Sequence, residues 1–230
     1  ALFDAMTGKH GLAKSRLSAG GKTEVWLQFQ PFASVIVQSF MSTKSHASFP
    51  FYKTAGKPQS INGGWTIEFL SGGPVIPAKR TGTTLGSWTD LEEEDVKNFS
   101  GTAKYSTTFQ KPAGNVVAYL LDLGKVNETA EVFLNGKKLA TLIGPTFQTT
   151  IPSVLLQQNN KLEIIVANLM ANRISYMDKN NLPWKIFYNT NMPARRKENS
   201  KNGIFDASEW KPLPSGLSGP VTITPLRKNE

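Results

Sequence analysis

Apolar residues recur along this chain in short alternating runs, not at helical spacing. "GGWTIEFL" (63–70) places Trp65, Ile67 and Phe69 on one face of an extended strand. "GTAKYSTTFQ" (101–110) alternates in the same way and ends in the turn "KPAGN". "VVAYLLDLG" (116–124) is nearly continuous and predicts a strand buried on both faces. "AEVFLNGKKLAT" (130–141) predicts a hairpin, because Asn135-Gly136 suits the two positive-φ positions of a type I′ turn. "TTIPSVL", "LEIIVANLM" and "PVTITPL" (220–226) complete the series, and the turn "QQNNK" separates the first two. Near the start, "TEVWLQF" (23–29) and "ASVIVQSF" (33–40) predict two strands joined tightly through "QPF". Residues 83–98, with four consecutive acids at 92–95, predict a short helical turn with Thr89 or Asp90 as N-cap. Strands at about ten-residue spacing, with turns between, predict an all-β antiparallel sandwich with little helix.

One strand empties into a different texture. After Leu162, Ile164, Ile165 and Val166 comes "NLMANRISYMDKNNLPW" (168–184), read as a loop. Carbohydrate recognition uses a flat apolar platform with planar donors and acceptors beside it. Asn172, Arg173, Asp178, Trp184 and Tyr188 supply that palette, and Trp210 of "FDASEWKPLP" can join it. The same residues also fit a corner that closes the fold. Arg173 would then bridge to Asp178, Asn168 would satisfy its own loop, and Trp184 and Trp210 would form a lid on the core. A third reading makes the loop an interface with a neighbouring catalytic domain.

Composition narrows the chemistry. The net charge is +9, but the densest basic run, Arg195-Arg196-Lys197, stops at Glu198 and no nucleic-acid-binding motif accompanies it, so no nucleic-acid partner is expected. Cysteine is absent, which removes disulfides and thiolate chemistry. His10 and His46 are the only histidines and no G-x-S-x-G elbow occurs. No apolar stretch is long enough to span a membrane, and no membrane partner is expected. A glycosidase needs two carboxyls flanking the scissile bond. The 92–95 cluster reads as a solvated face, while Asp178 and Asp206 lie in loops and can meet only through the fold. Loop oxygens admit a structural calcium ion, although no ligand spacing specifies one. No other cofactor is expected.

The stretch from "NFSGTAKYSTTF" through "LDLGKVNETAEVFLNGKKLA" to "LEIIVANLMANRI" resembles the galactose-binding-like jelly-roll of glycoside hydrolases, best known as the sugar-binding domain of family 2. The matching positions are Gly101, Ala103, Tyr105, Leu123-Gly124, Val126, Ala130-Glu131-Val132, Asn135-Gly136, Val166 and Asn168. With "LFDAMTGKHGLAKSR" and "PLPSGLSGPVTI" added, most of the chain resembles the C-terminal region of family 106, the α-L-rhamnosidases. That resemblance implies terminal strands of a preceding β-rich region over 1–45, a linker over 46–62 and a jelly-roll over 63–228. It implies a parent enzyme whose catalytic carboxylates lie on a barrel outside this chain. The expected function is an accessory, non-catalytic domain of an exported bacterial glycoside hydrolase, periplasmic or extracellular, acting on plant polysaccharide. Its partners would be carbohydrate and the catalytic domain of the same parent chain. An autonomous carbohydrate-binding module and a purely structural sandwich are the alternatives. The opening "ALFDAMTGKHG", without Met or a charged leader, reads as a processed chain or a cut from a longer one.

Overall fold

A computed structural model describes residues 1–42, 44–186 and 196–229. Strand accounts for 42% of the residues and helix for 10%, so sheets form the layers. The larger sheet has six antiparallel strands, in the order Lys137–Ile143, Thr129–Leu134, Asn159–Ala167, Ser100–Gln110, Trp65–Gly73 and Arg80–Thr83. The smaller sheet runs Gln148–Pro152, Ala118–Asp122, Thr222–Lys228 and Tyr52–Thr54, with Gln59–Ser60 also pairing with the Thr222–Lys228 strand.

The alternation read from the sequence is the alternation of the core. Trp65, Ile67, Phe69, Tyr105, Val132, Leu162, Ile164 and Val166 of the larger sheet share one buried cluster with Tyr119, Leu121, Ile151 and Ile223 of the smaller. The 116–124 run meets the expectation of two buried faces in part. Tyr119 and Leu121 are fully buried, while Leu120 and Asp122 are half-buried and Val117 is exposed. Tyr119 and Leu121 face the main core, while Ala118 and Leu120 face the other side, where their neighbours Thr224 and Leu226 are buried and Lys9 Nζ reaches Thr150 at 3.4 Å, so that second face is covered in part.

The predicted hairpin is present. Asn135 and Gly136 take φ of 50° and 79°, and the Asn135 side chain also accepts from the Lys161 amide at 2.9 Å. Gly124 (φ +64°) is where the chain turns between layers, and a Cβ there would lie 2.4 Å from the carbonyl carbon of Gly219. In 83–98 the helical turns are Trp88–Asp90 and Glu94–Lys97. Their N-caps are Ser87 and Glu93, not Thr89 or Asp90. The Ser87 hydroxyl accepts from the Thr89 amide at 3.2 Å.

Three stretches depart from the sequence reading. Residues 46–62, expected to be a linker, carry the strands Tyr52–Thr54 and Gln59–Ser60 and the buried Ile61. The runs 23–29 and 33–40 do not form a hairpin together. Only Thr23–Val25 and Ile36–Val37 are strand, paired with Ser15–Leu17 and Leu2–Phe3 respectively. The β-favouring residues between and beyond them have no neighbouring strand to complete a ladder. Trp26, Leu27, Phe29, Phe32, Phe40 and Met41 are exposed, as are the paired Ile36 and Val37.

The third departure is residues 168–184, expected to be a loop, of which Ala171–Lys179 is an α-helix. Its buried residues are Asn172, Ser175 and Asp178, spaced i, i+3, i+6. That face is wholly polar, so an apolar periodicity does not reveal it.

Candidate functional site

Asn168 ends the Asn159–Ala167 strand and opens the corner. Its side-chain oxygen accepts from the Gly101 amide at 2.9 Å. Its amide nitrogen donates to the Phe99 carbonyl at 2.9 Å and the Ser215 hydroxyl at 3.1 Å. These bonds reach across the sheet, so the expectation that Asn168 satisfies its own loop is corrected. Asn172, one turn into the helix, repeats the device. It accepts from the Leu213 amide at 2.8 Å and donates to the Leu213 carbonyl at 2.8 Å and to Ser215 Oγ at 3.2 Å. Ser215 in turn donates its amide to Ser87 Oγ at 2.9 Å. Helix, sheet and the 213–215 segment are thereby locked together through buried polar groups that find partners.

Asp178 organises the other end. One carboxylate oxygen accepts from the Trp184 indole N–H at 2.7 Å and pairs with Lys185 Nζ at 2.8 Å. The other accepts from the Ala207 amide at 2.8 Å. The expected Arg173–Asp178 bridge is absent among the described residues, because Lys185 takes that place. Trp184 and Trp210 are half-buried, and neither belongs to the main core. They flank Phe205 edge-on, at centroid distances of 6.1 and 5.7 Å, and the Trp210 indole donates to Asn199 Oδ1 at 2.9 Å. They form a small aromatic lobe of their own, not a lid on the sandwich core. Tyr188 lies outside the described residues.

The fold does bring Asp178 and Asp206 together, since Asp178 accepts from the amide next to Asp206 and Lys185 acts on both. The Asp206 carboxyl is held below its usual range, first by the hydrogen bond from the Ser208 hydroxyl, then by the Ser208 amide and by Lys185 and Lys201. A glycosidase acid needs the opposite shift, upward, so that it carries a proton to give. The acids at 92–95 are exposed, with Glu93 paired to Arg80 at 2.7 Å. Among the described residues no three His, Cys, Asp or Glu side chains gather as a metal site would need.

Arg173 is the unusual member. Its guanidinium lies against Gly73, where a Cβ would come within 2.6 Å of Nη1, and its buried Nε has no hydrogen-bond partner among the described residues. Sequence reasoning missed Lys185, Phe205, Ser215 and Gly73. The one usable signal was the polar i, i+3, i+6 triple 172, 175, 178, which marks a helix that buries hydrogen-bonding groups.

No family model matches the chain. A curated protein of Formosa agariphila named "Putative beta-glucuronidase" is 35% identical over 189 residues, which are 76% of this chain and 16% of that protein. The chain thus spans about a sixth of that relative's length. Among solved structures, a rhamnosidase from Novosphingobium sp. PP1Y superposes with a TM-score of 0.67 at 24% identity, covering 97% of this chain and 20% of that one. A β-glucuronidase from Ruminococcus gnavus gives 0.46 at 21% identity, covering 76% of this chain and 29% of that one. The chain resembles one domain-sized segment of proteins named as glycoside hydrolases. The sandwich fold over nearly its whole length is shared with the rhamnosidase.

Proposed function

We propose that this chain is an accessory, non-catalytic domain of a larger exported glycoside hydrolase acting on plant polysaccharide. In this reading the sandwich is a galactose-binding-like jelly-roll and the parent enzyme is α-L-rhamnosidase-like. The observation that carries the proposal is the exposed apolar segment 26–41. Its strands stop after two or three residues although the sequence favours longer ones, and its aromatic and β-branched side chains face outward. Such a surface is characteristic of an interface. Leu2, Leu27, Phe29, Phe49 and Phe51 line a cavity of about 150 Å³ beside it. The occupant we assign is the catalytic domain of the same polypeptide. The rhamnosidase supports this choice, since the same fold with this segment included makes up one fifth of a longer chain.

The Asp206 carboxyl, held below its usual range, is not poised to give a proton as a glycosidase acid, which supports a non-catalytic role. Incubating the chain with aryl α-L-rhamnosides and aryl β-D-glucuronides tests it. No release of the aryl alcohol is expected, and turnover that survives Asp178→Asn and Asp206→Asn substitutions would place catalysis elsewhere in this chain and refute the proposal.

A second reading, a carbohydrate-binding module, is favoured by the half-exposed rings of Trp184 and Trp210 and by Arg173, which enters no ion pair among the described residues. Tryptophan fluorescence titrated with rhamnose-containing pectic oligosaccharides distinguishes the two, because a saturable shift lost in Trp184→Ala belongs only to the binding module.

A further inference from the structure

Arginine side chains that are half-buried in a protein usually meet a carboxylate or a set of carbonyls. Two arginines here have a buried Nε without a hydrogen-bond partner among the described residues, Arg80 and Arg173. Arg80 is neutralised by Glu93 at 2.7 Å. Arg173 enters no ion pair among the described residues.

Its position is built by glycine. The Cβ of any other residue at position 73 would lie 2.6, 2.8 and 2.9 Å from Nη1, Cζ and Nη2, so the planar group occupies the space a side chain would fill. Gly73 pairs with Ser100, and two positions earlier Ser71 pairs with Thr102. Residues two apart on a strand share a face, so the Ser71 and Thr102 hydroxyls lie on the side of the sheet that Arg173 covers. Those hydroxyls touch each other at 2.8 Å and are solvent-accessible. Arg173 also sits in the first turn of its helix, which has no side-chain cap and no acidic residue in that turn. No acid of that turn competes for the cation.

We propose that Arg173, with the Ser71 and Thr102 hydroxyls two positions along the same face of the sheet, is a subsite for an anionic group of a glycan, either a uronate carboxylate or a sulfate ester. The proposal rests on the carbohydrate-binding reading of this corner and narrows it to acidic sugars. A guanidinium presents a donor fork that matches a carboxylate or sulfate edge. The two hydroxyls supply adaptable donors for the remaining oxygens. The net charge of +9 draws a polyanionic chain toward the domain at low salt.

The test is an NMR titration of the 15N-labelled 230-residue chain at constant ionic strength, following arginine Nε–Hε and tryptophan indole signals. The probes are methyl β-D-glucuronide, glucose 6-sulfate, methyl β-D-glucoside and inorganic sulfate, with Arg173→Lys assigning the Arg173 signal. The expected result is a saturable Arg173 shift with the glucuronide or the sulfate ester, which names the anion. Affinity should fall about tenfold in Arg173→Gln. Ser71→Ala should weaken binding as well, which keeps the test intact if the Arg173 variant fails to fold. An Arg173 signal unmoved by both anionic sugars overturns the subsite, as does an equal response to methyl β-D-glucoside or to inorganic sulfate. Indole shifts with the neutral glucoside, and none at Arg173, would leave carbohydrate binding standing without the anion subsite. Silence of every signal would remove both.

Discussion

Replacing Tyr105 by Phe removes one oxygen and leaves two donors behind. The Tyr105 hydroxyl oxygen accepts from the Trp88 indole N–H at 2.6 Å and from the Leu217 amide at 3.0 Å. Trp88 is 1% exposed and Leu217 is fully buried, so water does not replace the lost acceptor. Each buried donor left unsatisfied costs about 1–3 kcal/mol. Two together give about 4 kcal/mol, which for a chain of this size lowers Tm by roughly 10 °C. Tyr119→Phe is the internal control. Its ring is as fully buried, its hydroxyl lies nearer the surface, and it donates to the Pro112 carbonyl at 2.9 Å. Losing that bond strands no donor and costs about 1 kcal/mol, roughly 3 °C. Thermal unfolding followed by circular dichroism, with urea midpoints as a second measure, compares the variants. If Tyr105→Phe costs no more than Tyr119→Phe, the two donors find other acceptors and the argument from stranded N–H groups is wrong.

Other consequences are open to direct measurement. Burial pushes the Tyr105 hydroxyl up to about 12 from its ordinary 10.0. The folded state thus keeps a proton the unfolded chain releases. That contribution is intact below pH 10 and lost as the pH rises through about 12, so wild-type stability should fall more steeply across this window than that of Tyr105→Phe. Parallel slopes in alkaline urea titrations would count against it. Asp178→Ala leaves the Trp184 indole, the Ala207 amide and Lys185 without their shared partner, at a cost of about 3–5 kcal/mol. Trypsin should then cut after Lys179, Lys185 or Lys201 while the sheet signal in circular dichroism persists, and an unchanged digest would refute Asp178 as the organiser of the lobe. The pair Phe32→Ser and Ile36→Thr, at exposed positions, should lower concentration-dependent self-association in light scattering and change stability by less than about 1 kcal/mol. A large loss of stability would show that these side chains already have partners within the chain.

The sandwich was legible because its cause is local. A side chain's face in a strand follows from parity, so Trp65, Ile67 and Phe69, or Leu162, Ile164 and Val166, announce their sheet without knowledge of the partner strand. Asn135-Gly136 is equally local, since the turn's φ values restrict the residue types. Pairing is not local. The 23–29 and 33–40 runs carry the composition of a hairpin, yet each pairs elsewhere, because which edge lies within reach depends on residues 1–17. The helix at 171–179 was hidden for another reason. Asn172, Ser175 and Asp178 turn inward, Asn172 and Asp178 bonding the 207–215 backbone and Ser215, and a polar buried face looks like a solvated loop to any apolar count. Arg173 was named from its chemistry, but its environment depends on Gly73, a hundred residues earlier.

The strand Thr222–Lys228 lies in the middle of the smaller sheet, between Ala118–Asp122 on one side and Tyr52–Thr54 with Gln59–Ser60 on the other. A ribosome makes the chain in the opposite sense to that layout. The first of these strands emerges about 170 residues before the one that joins it to the rest, an interval of roughly 10–35 s at ordinary elongation rates. During it Tyr119, Leu121 and Ile151 have half a layer to pack in, and the 52–60 stretch has no sheet to attach to. The nascent chain must therefore be kept from aggregating until the seven-residue strand Thr222–Lys228 slides into place, and a chain broken off before that strand would leave both halves of the layer unjoined.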